Sequence, residues 1–196
     1  MPAYRSTAPE SAPAPVSVSV QLASEADRPV LERLWLMFRH DMSAFDGSMP
    51  ALDGTFRSDR LDAALAGAGW AAYLLRSGPY PAGLALVRGV GGPARVMNSF
   101  FVARGARGKG AGLRAAREVV ARHPGRWEIP FQDANAAAVR FWRRVAAEVA
   151  GGAWEEERRP VPGRPDLPPD VWISFGEAGT GAGVRRPARP ASPASP

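Results

Sequence analysis

Apolar positions recur along the chain in two rhythms, and each change of rhythm marks an element. Val16, Val18 and Val20 alternate with serines as far as Gln21, which predicts a strand over Val16–Leu22. Ser24 with Asp27 offers a helix start, because a serine oxygen can cap the first unpaired amides. Leu31, Leu34, Trp35, Phe38 and Met42 follow at helical spacing and form the face expected in the core. Gly47, Pro50 and Gly54 predict a loop from Ser43 to Thr55, and Phe56–Ala66 reads as a second, short helix. Trp70–Leu75 and Ala82–Val90 read as strands joined at Gly78-Pro79-Tyr80-Pro81, and Arg95–Val102 as a third. Gly112–Arg122 has a helical pattern that Pro124 and Gly125 stop. Trp127, Ile129 and Phe131 alternate as a strand reaching Gln132, Asn135–Val149 is helical, and Trp154–Arg159 and Val171–Phe175 are the last strands.

The order is β-α-α-β-β-β-α-β-α-β-β. It predicts an α/β protein of the α+β kind, with a mixed, mostly antiparallel central sheet of about six to seven strands flanked by helices. Two hairpin-like pairs exclude a pure βαβ repeat. The helix between Arg95–Val102 and Trp127–Gln132 predicts one parallel crossover. There is no internal repeat. Residues 1–15 are rich in Pro, Ala and Ser and lack the apolar run of a signal peptide, so they read as a disordered tail. Residues 178–196, with Arg185, Arg186 and Arg189 among Gly, Pro, Ala and Ser, read as a second one. One domain is therefore expected over residues 16–177. No stretch approaches the roughly 20 apolar residues of a membrane span, so no membrane partner and a cytoplasmic location are expected.

Composition narrows the chemistry. At 196 residues and 45% apolar, the chain suffices for one core. The absence of cysteine excludes a disulfide scaffold, a thiolate-zinc site and a cysteine nucleophile. His40 and His123 are the only histidines, which argues against a multi-histidine metal site, and no metal is expected. His40 reads as a surface residue after the first helix stripe, and His123, beside Pro124, as a helix-end residue interacting with the dipole. The 25 basic residues outnumber 19 acidic ones, and all but Lys109 are arginine. Residues 1–100 balance, whereas 101–126 hold seven basic side chains against Glu118 alone. Such a local field suits an anionic partner, phosphate or nucleic acid; a solvated helix face in an arginine-biased chain is the plainer reading.

What singles that segment out is Arg107-Gly108-Lys109-Gly110-Ala111-Gly112, between a strand and a helix. Alternate glycines let the backbone turn and approach a ligand closely, and the next helix offers unpaired amides and a positive dipole end. This is an anion site, and a pyrophosphate is its natural occupant. A nucleoside-triphosphate loop is excluded by spacing: Ala103 stands five residues before Gly108, and Gly110 rather than Ser or Thr follows Lys109. The dinucleotide fingerprint fails too, since the glycines run Gly-x-Gly-x-Gly and the strand is not the first.

Phe101-Val102 followed by Arg107-x-x-Gly110-x-Gly112 resembles the acetyl-CoA signature of the GNAT N-acetyltransferase superfamily, Gln/Arg-x-x-Gly-x-Gly/Ala. Asn135-x-x-Ala138-x-x-Phe141-Trp142 is similar to that family's Asn-x-x-Ala-x-x-Phe-Tyr helix, and the element order agrees from Val16 to Phe175. More narrowly, Phe100 to Val102, Arg126 to Glu128, Asn135, and Phe141 to Arg143 resemble a bacterial branch. The resemblance implies the acyl-CoA N-acyltransferase fold, acetyl-CoA as co-substrate, and acetyl transfer to a primary amine of a small molecule or protein. It implies that the amides of Arg107, Gly108, Lys109, Gly110, Ala111 and Gly112 cradle the pyrophosphate, and that Phe101 and Val102 pair with the pantetheine arm like an extra strand. The strands at 95–102 and 127–132 would splay to admit the thioester, with Asn135 and Phe141 lining the far side. Many relatives are dimers, so a homodimer is also implied. Asn135 serves equally well as a helix cap, and core packing is expected of at least one of Phe141 and Trp142.

Direct transfer needs a neutral amine. Neutralising an ammonium of pKa near 10.4 at pH 7 costs about 4–5 kcal/mol, whereas protonating a departing thiolate of pKa near 8.5 is worth only about 2 kcal/mol. A base therefore matters more than an acid. Relatives often carry an acid tyrosine where Trp142 stands, and indole cannot take that role, which leaves only Tyr4, Tyr73 and Tyr80. Many relatives carry a glutamate on the strand before the loop, but Val96-Met97-Asn98-Ser99-Phe100-Phe101 has no carboxylate. Asn98 and Ser99 can order a relay water. Glu128, opposite the Trp127, Ile129 and Phe131 face, is the remaining base candidate, against the plain reading of an exposed strand carboxylate. Asp41, Asp46 and Asp53 flank the loop that shapes the acceptor site in relatives, and either attract a cationic amine or do ordinary loop chemistry. Three readings follow: an N-acetyltransferase, a non-catalytic acyl-CoA-binding module, and a nucleic-acid-binding module. The last would show steep salt-dependent affinity, and a phosphate-rich cofactor explains the 101–126 charge better than nucleic acid does.

Overall fold

A computed structural model describes residues 18–108 and 110–177. The two expected tails, Val16 and Lys109 lie outside the described residues. The elements are β1 (Val18–Leu22), α1 (Arg28–Asp46), α2 (Asp59–Ala66), β2 (Trp70–Ser77), β3 (Tyr80–Arg88), β4 (Ala94–Val102), α3 (Ala111–Ala121), β5 (Arg126–Phe131), α4 (Ala136–Ala150), β6 (Trp154–Arg159) and β7 (Asp170–Phe175). Short 3-10 turns at Glu25–Asp27 and Arg104–Ala106 lead into α1 and out of β4. The expected α+β class and element order hold.

The strands form one seven-stranded sheet in the order β1-β2-β3-β4-β5-β7-β6. Every pairing is antiparallel except β4 with β5. β7 lies inside and β6 at the edge, although β6 comes first in the chain. Val171, Ile173 and Phe175 of β7 are buried, whereas β6 reads Trp-Glu-Glu-Glu-Arg-Arg, a charged strand suited to an exposed edge.

Strand alternation splits the core in two. On one face Leu31, Leu34, Trp35 and Phe38 of α1 and Leu61 of α2 pack on Leu74, Leu84, Leu86 and Phe101. On the other, Leu113, Val119, Trp142 and Val145 of α3 and α4 pack on Leu75, Val87, Val102, Ile129 and Ile173. β2 and β3 are thus buried on both faces, which explains their nearly unbroken apolar runs.

Several boundaries differ from the sequence expectation. α1 runs through Ala44 and Phe45 to Asp46, into the segment expected as loop, because no helix breaker precedes Gly47. Its entry keeps the expected Ser24–Asp27 pair, with Ser24 capping the preceding 3-10 turn. The Asp27 carboxylate accepts from the Ser24 N–H (3.0 Å) and hydroxyl (3.2 Å), so the Ser24 hydroxyl acts here as a donor. α2 begins at Asp59 rather than Phe56. Among the described residues no helix is long and apolar enough to cross a membrane.

His123 follows the C-terminal end of α3, as expected, and its ring has a definite packing partner. It packs beside Tyr73, with Nε2 2.7 Å from the phenol oxygen, and its carbonyl accepts from Trp127 Nε1 at 2.9 Å. Burial, reinforced by the nearby charges of Arg95 and Arg122, pushes the imidazole below its ordinary pKa of 6.5, so the neutral ring is favoured. The unfolded chain then binds the proton more readily than the folded one. Stability should be unaffected above the ordinary histidine pKa of about 6.5 and fall as the pH drops below it toward the lower folded value. Urea midpoints from pH 8 to pH 5 should show that decline, and His123→Gln should flatten it.

Candidate active site

β4 and β5 pair over three positions only: Ala94 with Arg126, Arg95 with Trp127, and Val96 with Glu128. Beyond Val96 they part, and β5 continues with β7 alone up to Phe131. β4 stays with β3 but skips a residue between Ser99, opposite Leu86, and Met97, opposite Val87. Asn98 is the extra residue of this bulge, which bends β4 at the fork.

At the far end of β4 the chain passes through the Arg104–Ala106 turn into the glycine loop and α3. Gly108 (φ 89°) and Gly110 (φ 74°) both take the left-handed conformation that side chains with a Cβ resist. Gly110 caps α3, and its carbonyl accepts from Arg114 N at 3.0 Å. Within the expected cradle two amides are already used: Arg107 N donates to Arg104 O, and Ala111 N to Gly108 O, each at 3.1 Å. A Cβ on Gly112 would touch Phe141 and Val102 at 3.5 and 3.7 Å, ordinary contact that matches the Gly-or-Ala tolerance of the signature.

The loop, the end of β4, α1 and α4 enclose a cleft of about 540 Å³. Phe38, Met42 and Phe45 form its α1 wall, and Ala138, Phe141 and Trp142 its α4 wall. Phe101, Val102, Arg107, Gly108, Gly110, Ala111, Gly112, Asn135 and Phe141, all expected at the cofactor site, line it. Phe100 stacks on Phe141 at 5.6 Å and meets Trp142 edge-on at 5.3 Å. Trp142 is buried core, whereas Phe141 is partly buried and also faces the cleft. Asn135 is a helix cap: its Oδ1 accepts from Ala138 N at 3.0 Å. Asn135→Ala should lower stability by about 1 kcal/mol in urea unfolding.

Asn98, Ser99 and Glu128 do not line this cleft; they surround the fork. Ser99 is 3% exposed and donates its hydroxyl to Asn98 Oδ1 at 3.3 Å. Glu128 is not an isolated surface carboxylate. It accepts from Arg159 Nη2 at 3.3 Å and lies 3.8 Å from Arg126 Nε, while Arg159 sits 4.5 Å above the Trp172 ring. Tyr73 is committed to His123 and Tyr80 is exposed, so neither reaches the cleft, and Tyr4 lies outside the described residues.

The three aspartates do not act together. Asp46 takes Arg39 (3.1 Å) and the Ser48 amide, and Asp53 closes an exposed turn onto Thr55. Only Asp41 reaches the cleft, where it accepts from Arg107 Nη2 at 2.6 Å and Arg104 Nη2 at 3.0 Å. Burial pushes its carboxyl upward, but the Arg107 and Arg104 hydrogen bonds outweigh that and hold it below the usual carboxylate range. The sequence expectation ends α1 before Ser43 and so omits only Phe45 from this wall. The helical spacing of Phe38, Met42 and Phe45 was the available signal. Among the described residues no group of three metal-ligating side chains is present.

No family model and no curated protein sequence matches the chain. Solved structures do match in fold. Aminoglycoside acetyltransferase AAC(6')-Ib, solved with coenzyme A, superposes with a TM-score of 0.58 at 18% identity, over 82% of this chain and 95% of its own. Spermidine N-acetyltransferase from Vibrio cholerae, solved with coenzyme A and spermine, gives 0.58 at 11% identity over 82% and 96%. A GNAT-family acetyltransferase from Staphylococcus aureus gives 0.55 at 11% identity over 82% and 99%. With its forked β4–β5 pair and the glycine loop that opens α3, the chain has the fold of the GNAT acetyltransferases.

Proposed function

We propose that the chain is an acetyl-CoA-dependent N-acetyltransferase that transfers the acetyl group to a primary amine by direct attack on the thioester. The carrying observation is the fork that opens after Val96 and Glu128 beside a glycine loop with a left-handed Gly110. The residues fit the co-substrate. The loop is free of side-chain bulk at Gly108 and Gly110, the first turn of α3 presents amides to an anion, and the cleft continues between the apolar α1 and α4 walls. Bound there, acetyl-CoA supplies an activated acyl group.

The chain's own residues then have distinct tasks. The α3 terminus and the flanking arginines hold the pyrophosphate, and Phe101 and Val102 hold the pantetheine arm along the open edge of β4. The amine must lose a proton. We assign its acceptance to Glu128, the carboxylate at the fork, with the bulged Asn98 and the buried Ser99 ordering the intervening water. Arg159, braced on Trp172, fixes the carboxylate's position. Solved neighbours of this fold hold kanamycin or spermine, both amines, which supports an amine acceptor here.

A second reading has a specific observation behind it. Asp41 is the one carboxylate lining the cleft among the described residues, and it is taken by two arginines. A non-catalytic acyl-CoA-binding module would look the same. Thiol release from acetyl-CoA against a panel of primary amines separates the two. Turnover that falls about tenfold or more in Glu128→Gln supports the enzyme and the base assignment. Saturable coenzyme A binding with no thiol release from any amine favours the binding module.

A further inference from the structure

Asp41 lies on α1, outside both sequence motifs, yet it makes a close ion pair at the cleft. Its Oδ2 accepts from Arg107 Nη2 at 2.6 Å, and its Oδ1 from Arg104 Nη2 at 3.0 Å. Arg107 is anchored a second time, since its Nε donates to Val102 O at 2.7 Å, and its guanidinium lies 5.8 Å from the Phe101 ring centroid. One carboxylate thus joins three parts of the fold: the α1 wall, the end of β4 and the entrance to the glycine loop.

We propose that Asp41 is a positioning residue for the phosphate-binding end of the cleft, holding Arg107 and Arg104 in place before the anion arrives. The proposal rests on the reading of this cleft as a coenzyme A site. An arginine side chain loses rotamer entropy when it is fixed, and a guanidinium already held in place loses less of it on binding. Arg104 is 79% exposed and Arg107 47% exposed, against 23% for Asp41, so the carboxylate is the inner, ordered partner and the arginines face outward. Two guanidinium groups against one carboxylate leave a net positive charge for a phosphate.

The sign of the effect tests the idea. If Asp41 acted only as a negative charge near phosphates, removing it would tighten coenzyme A binding. If it positions the arginines, removing it weakens binding, and only for ligands that carry phosphate. The full chain, isotopically labelled, is titrated with coenzyme A and separately with pantetheine, which has no phosphate. Asp41→Ala and Asp41→Asn should weaken coenzyme A about tenfold, or 1.4 kcal/mol, and leave pantetheine within about twofold. Asp41→Glu, which keeps the carboxylate, should recover affinity to within about threefold of the parent. Unchanged or tighter coenzyme A binding in Asp41→Asn overturns the proposal, as does equal weakening of both ligands, which would mark a purely structural role. Should Asp41→Ala fail to fold, the isosteric Asn variant carries the test. Failure of the unaltered chain to bind coenzyme A is a different result: it removes the reading of the cleft itself, and this inference with it.

Discussion

Replacing Gly110 by valine is expected to cut coenzyme A affinity about 100-fold while the domain stays folded. Gly110 sits at φ 74° and caps α3. A β-branched residue in that region is a genuine outlier and costs about 1–3 kcal/mol if forced to remain. The new Cβ would also lie 3.1 Å from Arg114 Nη1, close enough that the arginine must shift. The loop relieves the strain by abandoning its turn, which on the proposed reading spoils the amide arrangement at the start of α3 that would receive the pyrophosphate. A loss of about 2.7 kcal/mol corresponds to the 100-fold decrease. Titration calorimetry with coenzyme A checks it, with circular dichroism confirming that the sheet persists. Gly105→Ala is the matched control. Its Cβ would meet nothing within 4 Å, and its affinity should stay within about twofold of the parent.

The second large effect lies in the sheet. Gly83→Ala should destabilise the domain by about 3 kcal/mol, which for a domain of this size is a fall in Tm of about 6–12 °C. A Cβ at Gly83 would lie 2.0 Å from the Phe101 carbonyl oxygen and 3.1 Å from the Val102 Cα. Both are backbone atoms of the paired strand, and neither can swing aside as a side chain would. Relief requires β3 to move off β4 at the register Gly83–Val102. That movement displaces Phe101 and Val102, the cleft residues at the end of β4, so coenzyme A affinity should fall along with stability. Thermal unfolding and a coenzyme A titration on the same variant test both halves. A variant with unchanged Tm would show that the strands separate at little cost.

These two glycines differ in how they could be found. Gly110 stands out in the sequence, because Gly-x-Gly-x-Gly between an alternating strand and an amphipathic helix is a local pattern with a local cause. Gly83 stands in an ordinary apolar run, and only pairing with β4 brings the Phe101 carbonyl against it. The same division runs through the site. The glycine loop and the Asn135 cap were legible because each depends on contacts within a few residues. Asp41 was visible as an acid near a loop. Its actual partners, Arg104 and Arg107, are more than sixty positions away in the chain.

Glu128 makes the same point about chemistry. Alternation placed it on the face opposite Trp127, Ile129 and Phe131, and the fold agrees. What alternation could not convey is that β7, arriving from forty residues later, would seat itself between β5 and β6. There, beside β7 and its Trp172, Arg159 of β6 reaches Glu128.

From local patterning alone, this chain determined its element order, the one parallel crossover and the glycine loop between β4 and α3. Hydrophobic period and turn chemistry act over a few residues. Tertiary structure decided which strand lies inside and which at the edge, where β4 and β5 part, how far α1 extends along the cleft, and which charges are spent on each other. Those outcomes depend on burial and on pairings between residues distant in the chain, where one carboxylate has many arginines to choose from and only the packed fold selects its partner.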